Sequence, residues 1–433
     1  MRNLLFLLFF IVGATLFSQP SLSVDSLSIT LAQAEEQFVK NNYELLAQKY
    51  NVDAAKAMVR QAGLFNNPNL YYEQSIYNRY SGKYFPTETG TWGNYATQGE
   101  FVVQYNWLFN IAGKRNKQVK VAKARADVAQ YEFDDLVRTL VYALRSDFYE
   151  LYYGLNSLQL FGQQINSLSN IVAGFEIQYK NGNTSLRELT RVRALLLSLQ
   201  SERLALFSEL QEVNKEFSVL LNNAKPTWYK PTVNETEVIS RYTNLKLSFS
   251  DLNAQALQYR PDLKAAQAEL ASAEANLKLQ KAMAVPDITA QGVFDRNGSY
   301  IPNYNAVALS VPIAIFNRNQ GNIGAAKAGV EASNQLLLQK QTSVQNDVLA
   351  SFQKILETEK LGATVTSDFT ADFNSILSGA KENYEKKNLS LIEFVDLFQS
   401  YKEAAMQQNK IKAQRINAYE ELNFSVGKDL FNK

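Results

Sequence analysis

The sequence predicts a mainly α-helical fold, written twice along the chain, in which each half also carries two β-strands of membrane-crossing length. Three observations lead there. Apolar residues recur at heptad-like spacing from about Gly113 to Tyr179 with no proline between, which calls for one very long helix. Phe101, Val103, Tyr105, Trp107 and Phe109 alternate strictly with their neighbours, the period of a strand with one apolar face. Blocks of sequence also return at a nearly constant distance, the mark of a repeat.

The elements follow in chain order. Arg2 precedes an apolar run from Leu4 to Phe17, with Ser18 after it. That is short for a membrane span and suits a signal peptide over residues 1–18. A first helix is expected at about 33–65, then strands at about 69–80 and 98–109 around a loop rich in Gly, Pro, Thr and Asn. The long helix over about 113–179 would reach roughly 100 Å. A tip at 180–185 leads into a returning helix at about 186–221. Pro226 and Pro231 interrupt the helical pattern, so residues 223–250 read as a linker between a first repeat (19–222) and a second (251–433). The second repeat has helices at about 251–284, 319–384 and 391–426, strands at about 287–296 and 303–313, and a tip at 385–390.

The repeat is visible residue by residue. Leu45 falls on Leu263, Ala55 on Ala273 and Pro68 on Pro286, an offset of 218. Val103, Tyr105, Trp107 and Phe109 fall on Val307, Leu309, Val311 and Ile313, an offset of 204. YKNGNTSLREL from Tyr179 falls on YEKKNLSLIEF from Tyr384, an offset of 205. The drop from 218 to 204 places 14 extra residues in the first hairpin loop, within Ser81 to Tyr95.

Composition narrows the function. The 433 residues contain no Cys and no His, so thiol nucleophiles, the usual neutral-pH base and the commonest metal ligands are missing. No catalytic residue, metal site or cofactor is assigned, and the chain reads as a non-enzyme. With 44 basic and 42 acidic residues the net charge is +2, which gives no electrostatic footprint for nucleic acid. No second apolar run approaches 18 residues, so any membrane crossing is made by strands.

Strands of 9–11 residues match a tilted crossing of a bilayer. The face of Phe101, Val103, Tyr105, Trp107 and Phe109 is then expected to meet lipid. The opposite face, Val102, Gln104, Asn106 and Leu108, suits a wet interior. Tyr71, Tyr72, Tyr77, Tyr80, Trp92 and Tyr95 add the aromatic girdle of a membrane barrel. Four strands cannot close, and an open edge in lipid strands backbone groups without partners, so the barrel is expected to be shared between copies, with three giving twelve strands.

The duplicated pattern, Asn67-Pro68-Asn69-Leu70 before the first strand, RPDLKAAQAEL from Arg260, and VPIAIFNRNQGNI after the last strand together resemble the TolC family of outer-membrane efflux ducts, the outer membrane factors. The resemblance covers essentially the whole chain after the signal peptide. It implies a duplicated TolC-like fold: a homotrimer with a shared 12-stranded transmembrane barrel and a long α-helical barrel, in the outer membrane of a Gram-negative bacterium and spanning the periplasm. It implies a passive duct for efflux, working with a periplasmic adaptor (membrane fusion protein) and an inner-membrane pump. Adaptor docking would fall on the tips, Asn181, Gly182 and Asn183 and Lys386, Lys387 and Asn388. A periplasmic gate would be lined by Glu393 and Asp396, which share one helix face at i and i+3, with Glu188 and Arg191 at the equivalent place in the first half. The absence of Cys departs from lipidated members of that family. The competing reading is a periplasmic or surface coiled-coil structural protein without a transport role.

Overall fold

The computed structural model describes residues 25–88, 99–242, 248–296, 301–364, 379 and 388–431. The expected signal peptide, the girdle residues Trp92 and Tyr95, and most of 365–384 in the second long helix lie outside the described residues.

The first half begins with β1 (Asp25–Ile29), α1 (Leu31–Asn41) and α2 (Tyr43–Ala62). There follow β2 (Asn69–Gln74), a small hairpin of β3 (Tyr77–Asn78) and β4 (Lys83–Tyr84), and β5 (Phe101–Phe109). Then come α3 (Lys114–Lys180) and α4 (Leu186–Leu221). The linker holds β6 (Thr227–Pro231) and α5 (Glu235–Arg241), and the second half repeats the plan with α6 (Phe249–Tyr259), α7 (Pro261–Met283), β7 (Ile288–Asp295) and β8 (Tyr304–Ser310). It closes with α8, described as Gln320–Thr364, and α9 (Leu391–Val426).

The 67 residues of α3 reach about 100 Å at 1.5 Å per residue, and α4 and α9 each hold 36 residues. The helix expected at about 33–65 is instead two helices, and so is the one expected at about 251–284. Asn42 leaves helical geometry (φ −65, ψ 117); its Oδ1 accepts from the Leu45 amide at 3.0 Å while its Nδ2 donates to the Leu220 carbonyl at 3.0 Å. Arg260 is extended for another reason: the ring of Pro261 excludes α geometry at the preceding residue, while Pro itself starts the next helix without strain. Both breaks obey the repeat, since 42 and 260 differ by the same 218 as the paired blocks. The strands are also shorter than expected: β2 ends at Gln74, although the Ser75 amide still donates to the Glu100 carbonyl, one further rung before the small β3–β4 hairpin.

Four strands form one antiparallel sheet in the order β2-β5-β7-β8, so each half contributes a hairpin and β5 joins β7 across the repeat. β2 and β8 are left at the edges. Below the sheet the chain turns sharply into α3 through Ala112 (φ 55) and Gly113 (φ 65). Lys114, at the first position of α3, is buried against the Asp287 carboxylate at 2.8 Å, and that same carboxylate oxygen accepts from the Ile111 amide at 3.0 Å. One ion pair thus ties the foot of β5 to the start of β7.

The main core lies midway along α3. There α1, α4, α5, α6, α8 and α9 meet β1 and β6, which pair in parallel, around Phe38, Phe148, Tyr149, Phe217, Tyr229, Tyr242 and Tyr419, all essentially buried. Burying an aromatic of this size is worth ~1.5–3 kcal/mol. A charged lattice crosses this core. The Arg145 guanidinium bonds Glu35, Glu420 and Asp429 at 2.7, 2.9 and 3.1 Å, and Tyr242 donates to Glu420 at 2.7 Å. Arg260 reaches Asp262, Asp347 and the Ser425 carbonyl, so the Arg-Pro-Asp motif pins the end of α9 to the start of α7. Burial pushes the Asp262 carboxyl up, but Arg260, Arg138 and Lys340 outweigh it and hold the group at about 2. A second core, with Leu168, Val172, Leu189, Val192, Phe394 and Phe398, binds α3, α4 and α9 toward the tips.

The junction pair yields a prediction. In Lys114→Met the half-buried Asp287 keeps only the Ile111 amide, and removing one partner of a buried pair costs ~3–5 kcal/mol. The single variant is expected to melt well below wild type in detergent, and the K114M/D287L double variant to recover most of the loss; a single variant that melts like wild type would contradict the role given to this pair.

Candidate functional site

The sheet sorts its side chains by chemistry. Residues opposite one another in register share a face, and Tyr105 stands opposite Leu70 and Gly292, with Gly292 opposite Val307. Trp107 continues through Ala290 to Leu309, and Val103 stands opposite Tyr72 and Phe294. Phe101, Val103, Tyr105, Trp107 and Phe109 therefore lie on one face. Their rings touch along it: Phe101 meets Tyr72 and Phe294 at centroid distances of 6.2 and 5.7 Å, and Trp107 meets Phe109 at 4.7 Å. Among the described residues nothing packs over this face. Leu70, Val307 and Leu309 are 70%, 86% and 72% exposed, and a continuous apolar patch of this extent is a contact surface rather than a solvated one.

The opposite face is polar. It carries Asn69, Glu73, Gln104, Asn106, Thr289, Gln291, Asp295 and Ser310, together with Tyr71, Tyr304, Leu108 and smaller apolar residues. Gln291 Nε2 donates to Gln104 Oε1 at 2.9 Å across two strands. The four strands hold two charged side chains, Glu73 and Asp295, and both are acidic and on this face. Sequence reasoning singles out neither acid, although the same alternation that marks the aromatic face assigns Glu73 and Asp295 to the other.

At the far end of the helices, Asn181, Gly182 and Asn183 make the turn between α3 and α4. Gly182 has φ +74, where glycine is free of the Cβ penalty, and the amides of Asn181 and Asn183 donate to the Ile177 and Gln178 carbonyls. Lys386 and Lys387 lie outside the described residues, and Asn388 is exposed. Beside these turns stand two capping boxes. Ser185 Oγ accepts from the Glu188 amide while the Glu188 carboxylate accepts from the Ser185 amide at 2.9 Å. Ser390 and Glu393 do the same, with the Ser390 amide and Oγ donating at 2.9 and 2.7 Å. Hydrogen bonds from Ser390 hold the Glu393 carboxyl below its ordinary range, and bonds from Ser185 and Thr184 do so for Glu188. Both glutamates therefore begin a helix, a role written in the sequence as Ser-x-x-Glu. Asp396 and Arg191 are exposed and, among the described residues, make no ion pair. Phe394, Val395 and Phe398 face the core between α9, α3 and α4, which turns Glu393 and Asp396 away from it.

Comparison with known proteins bears on this architecture. The family described as "Outer membrane efflux protein" matches the chain twice, over residues 35–222 and 252–428, once in each half. The chain belongs to the outer membrane efflux protein family. The cobalt-zinc-cadmium resistance protein CzcC of Cupriavidus metallidurans is 18% identical over 400 residues, 92% of this chain and 90% of its own. The cation efflux system protein CusC of Escherichia coli is 22% identical over 374 residues, 82% and 77% of the two chains. A solved structure of CusC superposes with a TM-score of 0.73 at 19% identity, covering 96% of each chain. This efflux protein is thus an outer-membrane protein of a Gram-negative bacterium with the TolC-like fold, and no described helix is long and apolar enough to cross a membrane.

The helical body of the efflux protein has its own charge pattern. Asp147 and Glu150 on α3 face Glu209 and Glu216 on the antiparallel α4. Burial, then repulsion from Glu216 and Glu150, pushes the Asp147 carboxyl up to about 7. A carboxyl that binds its proton more tightly folded than unfolded contributes stability that is complete below its unfolded pKa of about 4 and is lost as pH rises through 7. Asp147→Asn is expected to raise the melting temperature more at pH 8 than at pH 5; an equal gap at both values would contradict the assignment.

Proposed function

We propose that three copies of this chain close their sheets into one 12-stranded barrel and their helices into one conduit, giving a passive duct that carries substrates across the periplasm and the outer membrane. The observation that carries the reading is the sorting of the sheet, with an uncovered aromatic face, a polar face and two unpaired edges on a chain of this family. The aromatic face meets lipid and the polar face lines the lumen. On this reading the chain is no enzyme, and its partners are a second and third copy of itself, a periplasmic adaptor and an inner-membrane pump. The adaptor meets the tips at Asn181–Asn183 and 386–388.

The cargo we infer is cationic. Relatives bear the names of cation efflux and cobalt-zinc-cadmium resistance systems, and the charged side chains on the polar face, Glu73 and Asp295, are both acidic. Glu393 and Asp396 add an acidic ring at the periplasmic end of a trimer, with Glu188 and Arg191 beside it. Rings of carboxylates favour cations in a pore.

Two measurements test this in one set of variants. Single cysteines at 101, 105, 107 and 109 are expected to take lipid-soluble labels, and cysteines at 104, 106 and 291 aqueous ones; the reverse pattern would sink the barrel orientation. For the gate, Glu393→Gln/Asp396→Asn removes charge but keeps a side chain able to complete the capping box. Cation preference in single-channel recordings should fall, and unchanged selectivity and resting conductance would reject the gate while leaving the duct in place.

A further inference from the structure

The apolar face of the sheet continues past its last ladder pair into a hollow. A cavity of about 200 Å³ opens between the end of α2, the foot of β5 and the first turn of α3, lined by Phe65, Trp107, Phe109, Asn110, Arg115 and Asn116 among others. Its apolar side is aromatic and open, with Phe65 71% exposed. Its polar side is cationic. The Arg115 guanidinium sits 3.9 Å over the Phe65 ring, is only partly exposed, and among the described residues makes no ion pair.

The surrounding charge is one-sided. From Lys114 to Arg125 the helix carries six cations and no acid before Asp127, whereas α8, from Gln320, carries one cation before Glu331. Lys114 is neutralised by Asp287; Arg115, Lys120, Lys123 and Arg125 make no ion pair among the described residues. An aromatic wall beside an unpaired guanidinium, placed where the apolar face ends, is complementary to a molecule with hydrocarbon at one end and a phosphate at the other.

We propose that this hollow seats the headgroup of an anionic phospholipid of the periplasmic leaflet, with its phosphate on Arg115 and its acyl chains against Trp107 and Phe109. The proposal rests on the reading that the aromatic face meets lipid. A planar guanidinium bonds a phosphate through two parallel N–H groups, and Trp at the headgroup level anchors the same boundary. A second copy of the chain is the poorer occupant. β5 is an interior strand, flanked by β2 and β7 of its own chain, while copies meet at the edges.

The test uses the full-length protein, checked first for insertion into liposomes. Native mass spectrometry in detergent then follows titration with phosphatidylglycerol or with phosphatidylcholine of the same acyl chains. Wild type is expected to retain phosphatidylglycerol about tenfold more tightly, a difference of ~1.4 kcal/mol, up to one molecule per chain. Arg115→Gln should abolish the preference and Arg115→Lys should keep part of it, while excess inorganic phosphate should not displace the lipid. Equal retention of both lipids by wild type, or an undiminished preference in Arg115→Gln, would overturn the proposal. So would displacement by phosphate alone, which marks a free-anion site, or an Arg115→Gln trimer that falls apart with its lipid preference intact, which marks a subunit contact. A protein that fails to insert at all would instead remove the barrel reading on which the proposal stands.

Discussion

In hydrocarbon, no water is available to bond a backbone amide or carbonyl, and each one left without a partner costs several kcal/mol. The four-stranded sheet of this chain satisfies that demand along β5 and β7 and leaves it open along β2 and β8. A soluble protein would blunt such edges with charge, proline or a bulge. Here β2 reads Asn-Leu-Tyr-Tyr-Glu-Gln and β8 reads Tyr-Asn-Ala-Val-Ala-Leu-Ser, with no proline and with Glu73 as the one charge. On the proposed reading, these edges are the ones that a neighbouring copy pairs.

The duplication makes such pairing economical. Because each half supplies one hairpin and β5 bonds β7, the two halves form a continuous wall, and the edge strands come one from each repeat. The helices below inherit the same arrangement. α3 runs for about 100 Å without interruption, while the helices packed against it leave helical geometry at Asn42 and Arg260. Those two breaks coincide with the aromatic core and its charged lattice, where Arg145 and Arg260 fasten both ends of the chain to the middle. The Lys114–Asp287 pair plays the corresponding part at the junction with the sheet.

Much of this is legible in the sequence for a simple reason: long elements repeat a period many times. The helices α3, α4 and α9 lie within a residue of their expected bounds because their apolar spacing persists for 36 residues or more, and the aromatic face of β5 follows from five consecutive alternations. What escapes is short or carried by single residues. Pro261 announces the break at Arg260, and the offset of 218 carries that break to Asn42, where the sequence alone gives no proline. The pairing of β1 with β6 joins residues about 200 apart through five-residue strands with no periodicity to read. Glu188 and Glu393 stand out in the sequence by their charge, whereas Ser185 and Ser390, three residues before them, mark both as helix-capping groups. Alternation within β2 and β7 assigns Glu73 and Asp295 to the polar face, whereas the hollow beside Arg115 depends on which elements are neighbours, a property of the folded chain alone.

A three-copy barrel requires that β2 of one copy pair with β8 of the next until the ring closes. Cross-linking across that seam tests it directly, because the native chain contains no cysteine to confuse the result. With one cysteine in β2 at position 72 and a second placed in turn at 305, 307 or 309 in β8, oxidation in native membranes is expected to give a covalent trimer on a denaturing gel for at least one register. Bands that stop at the dimer, or no cross-link at any register while the protein remains in the outer membrane, would contradict the three-copy barrel.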